Sequence, residues 1–315
     1  MTIAMQQGKS KGEEHGGALA LAALLLGNAA LAIGPWLVRL ADTGPVAAGF
    51  WRLTLAMPIL YILALRGRQQ LTGYGRKIWI FLAIAGVLFA VDLASWHIGI
   101  ARTKLANAAL FGNCGSIIMV IYGFVIGRAW PKLLEWVAVS LALIGAALLM
   151  GASYELSVDS LVGDLFCIAA GVFYAGYLIA MRGARGKLGS WAVLAHASAF
   201  GALPMLAIAL ALGETILPHN WTPLFTLALS SQIIGQGLLI YALRHFSPLV
   251  IGLALLTQPA IAATVGWLAF GETLSPVDFA GMAAIGMALV LVRLPEARAA
   301  RRARGAPVAV DPGRA

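Results

Sequence analysis

Charged side chains are few in this sequence: 11% of its 315 residues are Asp, Glu, Lys or Arg, where a soluble globular protein carries roughly 25%. So few charges cannot cover a chain that is 61% hydrophobic with a mean hydropathy of +0.88, and a water-soluble fold is excluded. Cysteine is scarcer still. Cys114 and Cys167 both lie in apolar runs and read as small buried residues, not as a disulfide or redox pair. There is no Gly-rich loop ending in Gly-Lys-Ser/Thr, which excludes an ATPase. No His-Glu-x-x-His, no paired Asp-x-x-x-Asp and no recognisable nucleophile setting occurs, so neither catalysis, nor a metal, nor a cofactor is expected. The formal charge of +9 suggests nucleic acid, but the basic loops lack the aromatic interleaving that such binding uses.

What the chain does contain is a series of apolar runs about 20 residues long, enough to cross a hydrocarbon core of roughly 30 Å. Backbone polar groups must be satisfied within each segment there, so the runs predict helices. They are too long and continuous for the alternating strands of a barrel. The expected fold is all-α and polytopic, with ten transmembrane helices over 18–41, 45–65, 77–97, 105–127, 132–150, 161–181, 190–212, 222–242, 247–270 and 276–293. The polar run Gly151–Ser160, which holds Glu155 and Asp159 but no Lys or Arg, divides them five and five. An odd number per half reverses direction across the bilayer, so the second set of helices runs inverted to the first. Residues 1–17 are read as a polar cytoplasmic tail with no cleaved signal. Two five-helix repeats follow, over 18–150 and 161–293, with 151–160 as a non-cytoplasmic linker. Residues 294–315 form a basic cytoplasmic tail, with Arg298–Ala315 expected to be disordered.

The positive charges orient this arrangement. With the N-terminus in the cytoplasm, 18 of the 22 Lys and Arg fall on the cytoplasmic side. Only Arg39, Arg102 and Lys104 fall opposite, with Arg52 inside the second span. That excess is what cytoplasmic loops carry, and both termini are expected in the cytoplasm of an inner-membrane protein. Internal sequence repetition is faint. A shift of 145 matches Ala109-Leu110 with Ala254-Leu255, Val120 with Val265 and Pro131 with Pro276, and a shift of 141 aligns IGAALL (144–149) with IGMALV (285–290).

Glycine is abundant, at 36 residues, with many inside spans. Apolar helices in lipid gain little from burial against each other, so small residues that let backbones approach carry much of the packing. Pro259, after Gln258, removes a backbone donor in the ninth span; it predicts a kink or a break that lines a cavity. Pro204, Pro58 and Gly34-Pro35 do the same in three other spans.

Polar residues inside spans are the candidate site. Asp92 lies deep in the third span, where a carboxylate is expensive and usually faces the bundle interior or a water-filled route. It can bind a substrate amine or a proton, hydrogen-bond a neighbouring helix, or snorkel outward. Arg52 can snorkel to headgroups, bond groups inside the bundle or receive a substrate carboxylate. Gln232 and Gln236, four apart, share a face of the eighth span, and Gln258 adds a third amide beside Pro259. Trp96, one turn after Asp92, and Trp36, Tyr174, Tyr177 and Trp267 are candidate cavity walls, although such aromatics also serve as interface anchors. His97 reads as interfacial rather than catalytic, and His196 either titrates near neutral pH or sits as a buried, hydrogen-bonded neutral histidine. Asp164 and Glu272 read as residues that orient helix ends.

With these residues in place, the chain resembles the drug/metabolite transporter superfamily, its EamA-type ten-helix members and, among them, YddG-like amino-acid exporters. The resemblance rests on Gly49-Phe50-Trp51-Arg52 at the second span. In the second half it rests on Ser247-Pro248 through Gln258-Pro259 to Phe270-Gly271-Glu272-Thr273-Leu274, then Gly281 and Gly286. The first half departs from the pattern, with Asn113-Cys114-Gly115-Ser116 where members often have a Pro, Gly127-Arg128 for the Gly-Glu pair, and Gly27-Asn28 for Trp-Gly. The resemblance implies an inner-membrane exporter or exchanger of amino acids, aromatic ones included, and related metabolites, working by alternating access. The expected partners are a small-molecule substrate and the bilayer, and a monomer is expected. A multidrug or lipophilic-cation exporter of the same fold is the alternative; a polytopic enzyme or a non-transporting scaffold fits less well.

Overall fold

The computed structural model describes residues 19–103, 108, 111–127, 132–151, 160–185, 188–270 and 273–305. Among these, the chain forms ten helical segments and no strand. They are α1 (Leu19–Leu40, interrupted by a turn at Ile33), α2 (Pro45–Arg66), α3 (Arg76–Ile100), α4 (Cys114–Gly127), α5 (Leu133–Gly151) and α6 (Leu161–Arg185). There follow α7 (Ser190–Ala211), α8 (Thr222–Ala242), α9 in two pieces (Pro248–Leu255 and Gln258–Phe270) and α10 (Pro276–Gly305). Six of them, α1, α2, α3, α6, α7 and α8, are long and apolar enough to cross a membrane. The predicted linker lies outside the described residues over 152–159, as does Glu272.

Local chemistry sets the helix ends. Pro45, Pro223, Pro248 and Pro276 sit in first turns, where the missing N–H has no partner to lose, and Ser247 Oγ accepts the Val250 N–H at 3.4 Å. Internal prolines act unequally. Pro58 and Pro204 leave α2 and α7 continuous, whereas α1 turns at Ile33 just before Gly34-Pro35 and α9 breaks at Leu256-Thr257, just before Pro259. The break is held by Asn28 of α1, whose Nδ2 donates to Ala254 O at 2.7 Å and Thr257 Oγ1 at 3.3 Å. The expectation of a disordered tail over Arg298–Ala315 is corrected as far as Gly305, to which α10 continues; residues 306–315 lie outside the described residues. The run Ala297–Arg304 consists of Ala and Arg, both strong helix formers.

The outer surface is apolar: Leu133, Leu203, Leu268, Val125 and Val290 are among many exposed aliphatic side chains. An apolar belt of that extent has to meet lipid. Inside, helices of the two halves pack on one another in antiparallel pairs. In α2·α7 a Cβ on Gly49 would meet Met205 and one on Gly201 would meet Leu53. In α4·α9, Gly123 lies against Leu249 and Gly252 against Ser116 and Val120; in α5·α10, Gly145 lies against Ile285 and Gly281 against Leu149. The remaining large contacts join α3 to α6 and α7, α2 to α8, and α4 to α6. Small residues make these approaches. A Cβ on Gly145 would stand 2.6 Å from Gly281 O, and one on Gly281 2.8 Å from Gly145 O.

The helices α2 and α7 end in the same turn. Gln69 N donates to Ala64 O (2.8 Å) and Arg68 N to Leu65 O (3.0 Å), while Glu214 N donates to Ala209 O and Gly213 N to Leu210 O, both at 3.0 Å. These are the crossed bonds that close a helix through a left-handed residue. That residue is Gly213 (φ 68°) in α7 and Arg68 (φ 51°) in α2. Arg68 is the one non-glycine residue with positive φ among those described, and a side chain there costs roughly 1–2 kcal/mol. Arg68→Gly is expected to raise stability by about 1 kcal/mol, seen as a higher midpoint for thermal unfolding in detergent. A lower midpoint would show that the arginine side chain outweighs the backbone strain.

Candidate functional site

The buried polar residues collect where α2, α3, α6, α7 and α8 meet. Arg52 is on α2, Phe89 and Asp92 are on α3, Tyr174 and Tyr177 on α6, Ser198 on α7, and Gln232 and Gln236 on α8. Apart from the half-buried Tyr174, each is at most 8% exposed. The pairs Phe89/Asp92 and Tyr174/Tyr177 are three residues apart and share a helical face. Gln232 and Gln236 lie in a π-helical stretch of α8, Ala228–Gln236. Its wider turn brings residues four apart nearly over one another, and such turns concentrate at functional sites.

Two hydrogen-bonded chains run through the cluster. Arg52 Nε donates to Gln232 Oε1 at 3.0 Å, and Gln232 Nε2 donates to Ser198 Oγ at 3.0 Å. One turn along, Tyr177 OH donates to Gln236 Oε1 at 3.2 Å and Gln236 Nε2 to Tyr174 OH at 3.4 Å. Each glutamine thus has its amide orientation set from both ends. The aromatic rings stack alongside: Phe89 on Tyr177 with centroids 4.4 Å apart and planes 17° from parallel, then Tyr177 on Tyr174 at 5.8 Å. The Arg52 guanidinium caps the stack 5.5 Å from the Phe89 centroid, a favourable position for a cation over a ring face. Asp92 lies within electrostatic reach of Arg52. The result is a buried cluster that brings together one cation, one acid, two oriented amides and stacked aromatic rings.

Of the residues singled out in the sequence, Arg52, Asp92, Tyr174, Tyr177, Gln232 and Gln236 come together here. Gln258 does not; its Nε2 reaches Asn28 Oδ1 at 3.4 Å, beside the break in α9. Trp96 packs over Gly112 with Ile100, Phe111 and Cys167. Trp267 is exposed, 6.1 Å edge-on from Phe279, and Trp36 is exposed near the end of α1. Phe89 and Ser198 are additions that no motif announced, although Phe89 is three residues from Asp92. His97 is buried, not interfacial, and lies against Gly49 with Nδ1 lacking a hydrogen-bond partner. His196 is buried with both ring nitrogens engaged: Nε2–H donates to Leu71 O at 3.0 Å, and Nδ1 is hydrogen-bonded with Tyr61 OH at 3.1 Å. Asp164 does more than orient a helix end, since it accepts from Thr103 Oγ1 at 2.6 Å. Both cysteines are free, Cys167 buried and Cys114 partly so.

The profile of the EamA-like transporter family matches the chain twice, over residues 18–151 and 161–294. An uncharacterized transporter of Archaeoglobus fulgidus is 26% identical over 271 residues, covering 85% of this chain and 92% of that one. The pseudopaline exporter CntI of Pseudomonas aeruginosa is 24% identical over 76% of this chain and 83% of its own. The threonine/homoserine exporter RhtA of Escherichia coli K12 is 25% identical over 76% of this chain and 79% of its own. A solved crystal structure superposes with a TM-score of 0.72, covering 88% of this chain and 97% of that one at 14% identity.

Proposed function

The chain belongs to the EamA-like transporter family, and on that premise we propose that it exports or exchanges amino acids, apolar and aromatic ones included, and related metabolites. Membership makes it a multi-pass inner-membrane secondary transporter of small metabolites, not an enzyme. The amino-acid reading rests on one observation: a buried cation and a buried acid, Arg52 and Asp92, lie within electrostatic reach of one another in a cluster that also holds stacked aromatic rings and two oriented amides. A zwitterion needs one partner for each charged end, because leaving a charge unpaired in a dry compartment costs several kcal/mol, an order-of-magnitude figure. Its side chain needs only contact area, so selectivity is broad; one methylene changes binding by roughly 1–3 kcal/mol. The sequence resemblance to YddG-like exporters and the 25% identity to the threonine/homoserine exporter support the same reading.

In this reading ten helices span the bilayer as two inverted five-helix halves with both termini cytoplasmic, and the site opens to either face in turn. The two family matches and the antiparallel α2·α7, α4·α9 and α5·α10 pairs support it. Single cysteines at Glu155 and Arg68 test the topology. Label should reach position 155 only from outside and position 68 only from the cytoplasm; the opposite pattern overturns it.

The functional test is flux into sealed vesicles of purified protein, run with amino acids, polyamines and lipophilic cations on wild type and Asp92→Asn. Saturable amino-acid flux is expected. D92N should lower it about tenfold or more, the loss of one charged contact worth roughly 1.5–3 kcal/mol. Unchanged rates in folded D92N remove Asp92 from the site, and preferential flux of lipophilic cations replaces amino-acid transport with drug export.

A further inference from the structure

The antiparallel pair α2·α7 is tied at both of its ends by one set of contacts used twice. Beyond the turn that closes α2, Gln69 swings its side chain onto the start of α7, where Oε1 accepts the Ala192 N–H at 3.0 Å. Beyond the turn that closes α7, Glu214 does the same to α2. Its Oε2 accepts Ala47 N–H at 2.7 Å and its Oε1 accepts Val46 N–H at 3.2 Å. Two residues further, each loop offers a carbonyl to a ring N–H on the opposite helix: Leu71 O to His196 Nε2 at 3.0 Å, and Ile216 O to Trp51 Nε1 at 2.7 Å. Each helix is preceded by a glycine, Gly44 or Gly189, against which the capping side chain lies so closely that a Cβ would clash, 2.4 Å from Glu214 and 2.0 Å from Gln69.

Every member of one set stands 145 positions before its counterpart: Gly44 and Gly189, Ala47 and Ala192, Trp51 and His196, Gln69 and Glu214, Leu71 and Ile216. The N–H groups involved belong to first helical turns, which have no partner inside their own helix. Each half therefore completes a helix of the other.

We infer that the doubly capped α2·α7 pair is the fixed fulcrum of the transport cycle, about which the remaining helices move. The inference rests on the proposed alternating access between inverted halves. In such a cycle the two end states interchange the conformations of the halves. A contact that both halves make alike maps onto itself in that interchange and is kept in both states. Contacts without a counterpart are the ones that switch. The caps on α2 and α7 are of the first kind at both ends of the molecule.

Bismaleimide cross-linking of the full-length protein in vesicles tests this. Two variants carry cysteine pairs, Ala47→Cys with Glu214→Cys and Gln69→Cys with Ala192→Cys, each with Cys114→Ser and Cys167→Ala. Flux of a labelled mixture of the common amino acids is compared before and after cross-linking of the same sample. The expected result is flux within about twofold of the unlinked sample at either end. A fall of tenfold or more at either end makes that cap a gate and overturns the fulcrum. Flux from the unlinked protein decides the transport reading separately. If the paired variants do not fold, amide hydrogen exchange on wild type replaces them. Protection of Val46, Ala47 and Ala192 should stay within about twofold when the amino-acid mixture is added, and a tenfold change at any of them overturns the inference.

Discussion

Arg52→Gln should cut saturable amino-acid flux by two orders of magnitude or more while the protein remains folded. The side chain is buried, bonded through Nε to Gln232 and set over the Phe89 ring. Glutamine is shorter and keeps a donor for that neighbourhood, but it removes the positive charge that Arg52 offers to an anionic substrate end. A charge-assisted contact of about 3 kcal/mol is worth on the order of 100-fold. Arg52→Lys should restore little, because an ammonium cannot reproduce the planar, stacked guanidinium. Initial rates in vesicles, with a detergent unfolding midpoint as the control for folding, decide the matter. Wild-type rates in folded R52Q would take Arg52 out of substrate binding.

The second large effect is structural. Gly86→Leu should prevent α3 from seating on α7. A Cβ at Gly86 would stand 2.5 Å from Ala197 O, 2.6 Å from Phe200 Cβ and 2.9 Å from Gly201 N, and two of those atoms are backbone. Neither can rotate away, so the helices must separate. Overpacking of this kind costs about 3 kcal/mol or more, a large part of the roughly 5–15 kcal/mol that holds a domain folded. Gly286→Ala is the contrast, since its Cβ would meet nothing within 4 Å and alanine favours the helix by about 1 kcal/mol. Size-exclusion profiles after heating should show a monodisperse peak surviving in G286A and lost in G86L. The reverse order would mean that this close approach does not govern assembly.

Much of the buried polar cluster was legible because a polar side chain in an apolar span has few places to go. Arg52, Asp92, Gln232, Gln236 and Tyr177 were identifiable from chemistry alone, and they find one another because lipid offers nothing else to bond. Gln258 obeys the same rule with a different partner, Asn28, and nothing in the spacing separates the two destinations. Trp36, Trp96 and Trp267 were less legible still. An indole is content at a lipid face, over a glycine or along a cavity, and the choice depends on helix rotation, which near-uniform hydrophobicity does not encode. Phe89 was hidden among other apolar residues, and Ser198 is small enough to pass as packing. The reciprocal caps were invisible for another reason. Between 44–75 and 189–220 the only identical pairs are Gly44/Gly189, Ala47/Ala192, Ala64/Ala209 and Leu65/Leu210. What repeats is the course of the backbone, and Gln69 and Glu214 are alike in reach rather than in identity.

Those crossed caps bear on how the protein is made. A chain is synthesised from its N-terminus, and α2 leaves the ribosome well before the α7–α8 loop that supplies Glu214. Until then the first turn of α2 has Val46 and Ala47 N–H groups with no protein acceptor, and the indole of Trp51 has no carbonyl. The α2–α3 loop waits likewise, with Gln69 and Leu71 facing a helix not yet made. Neither half is therefore a finished object when it enters the membrane, and the first is held in an incomplete state for the whole time taken to translate the second. Expressed alone, residues 1–151 would keep that state. Supplied as a separate chain, residues 161–315 carry the missing groups, and the two fragments should assemble on meeting in the bilayer.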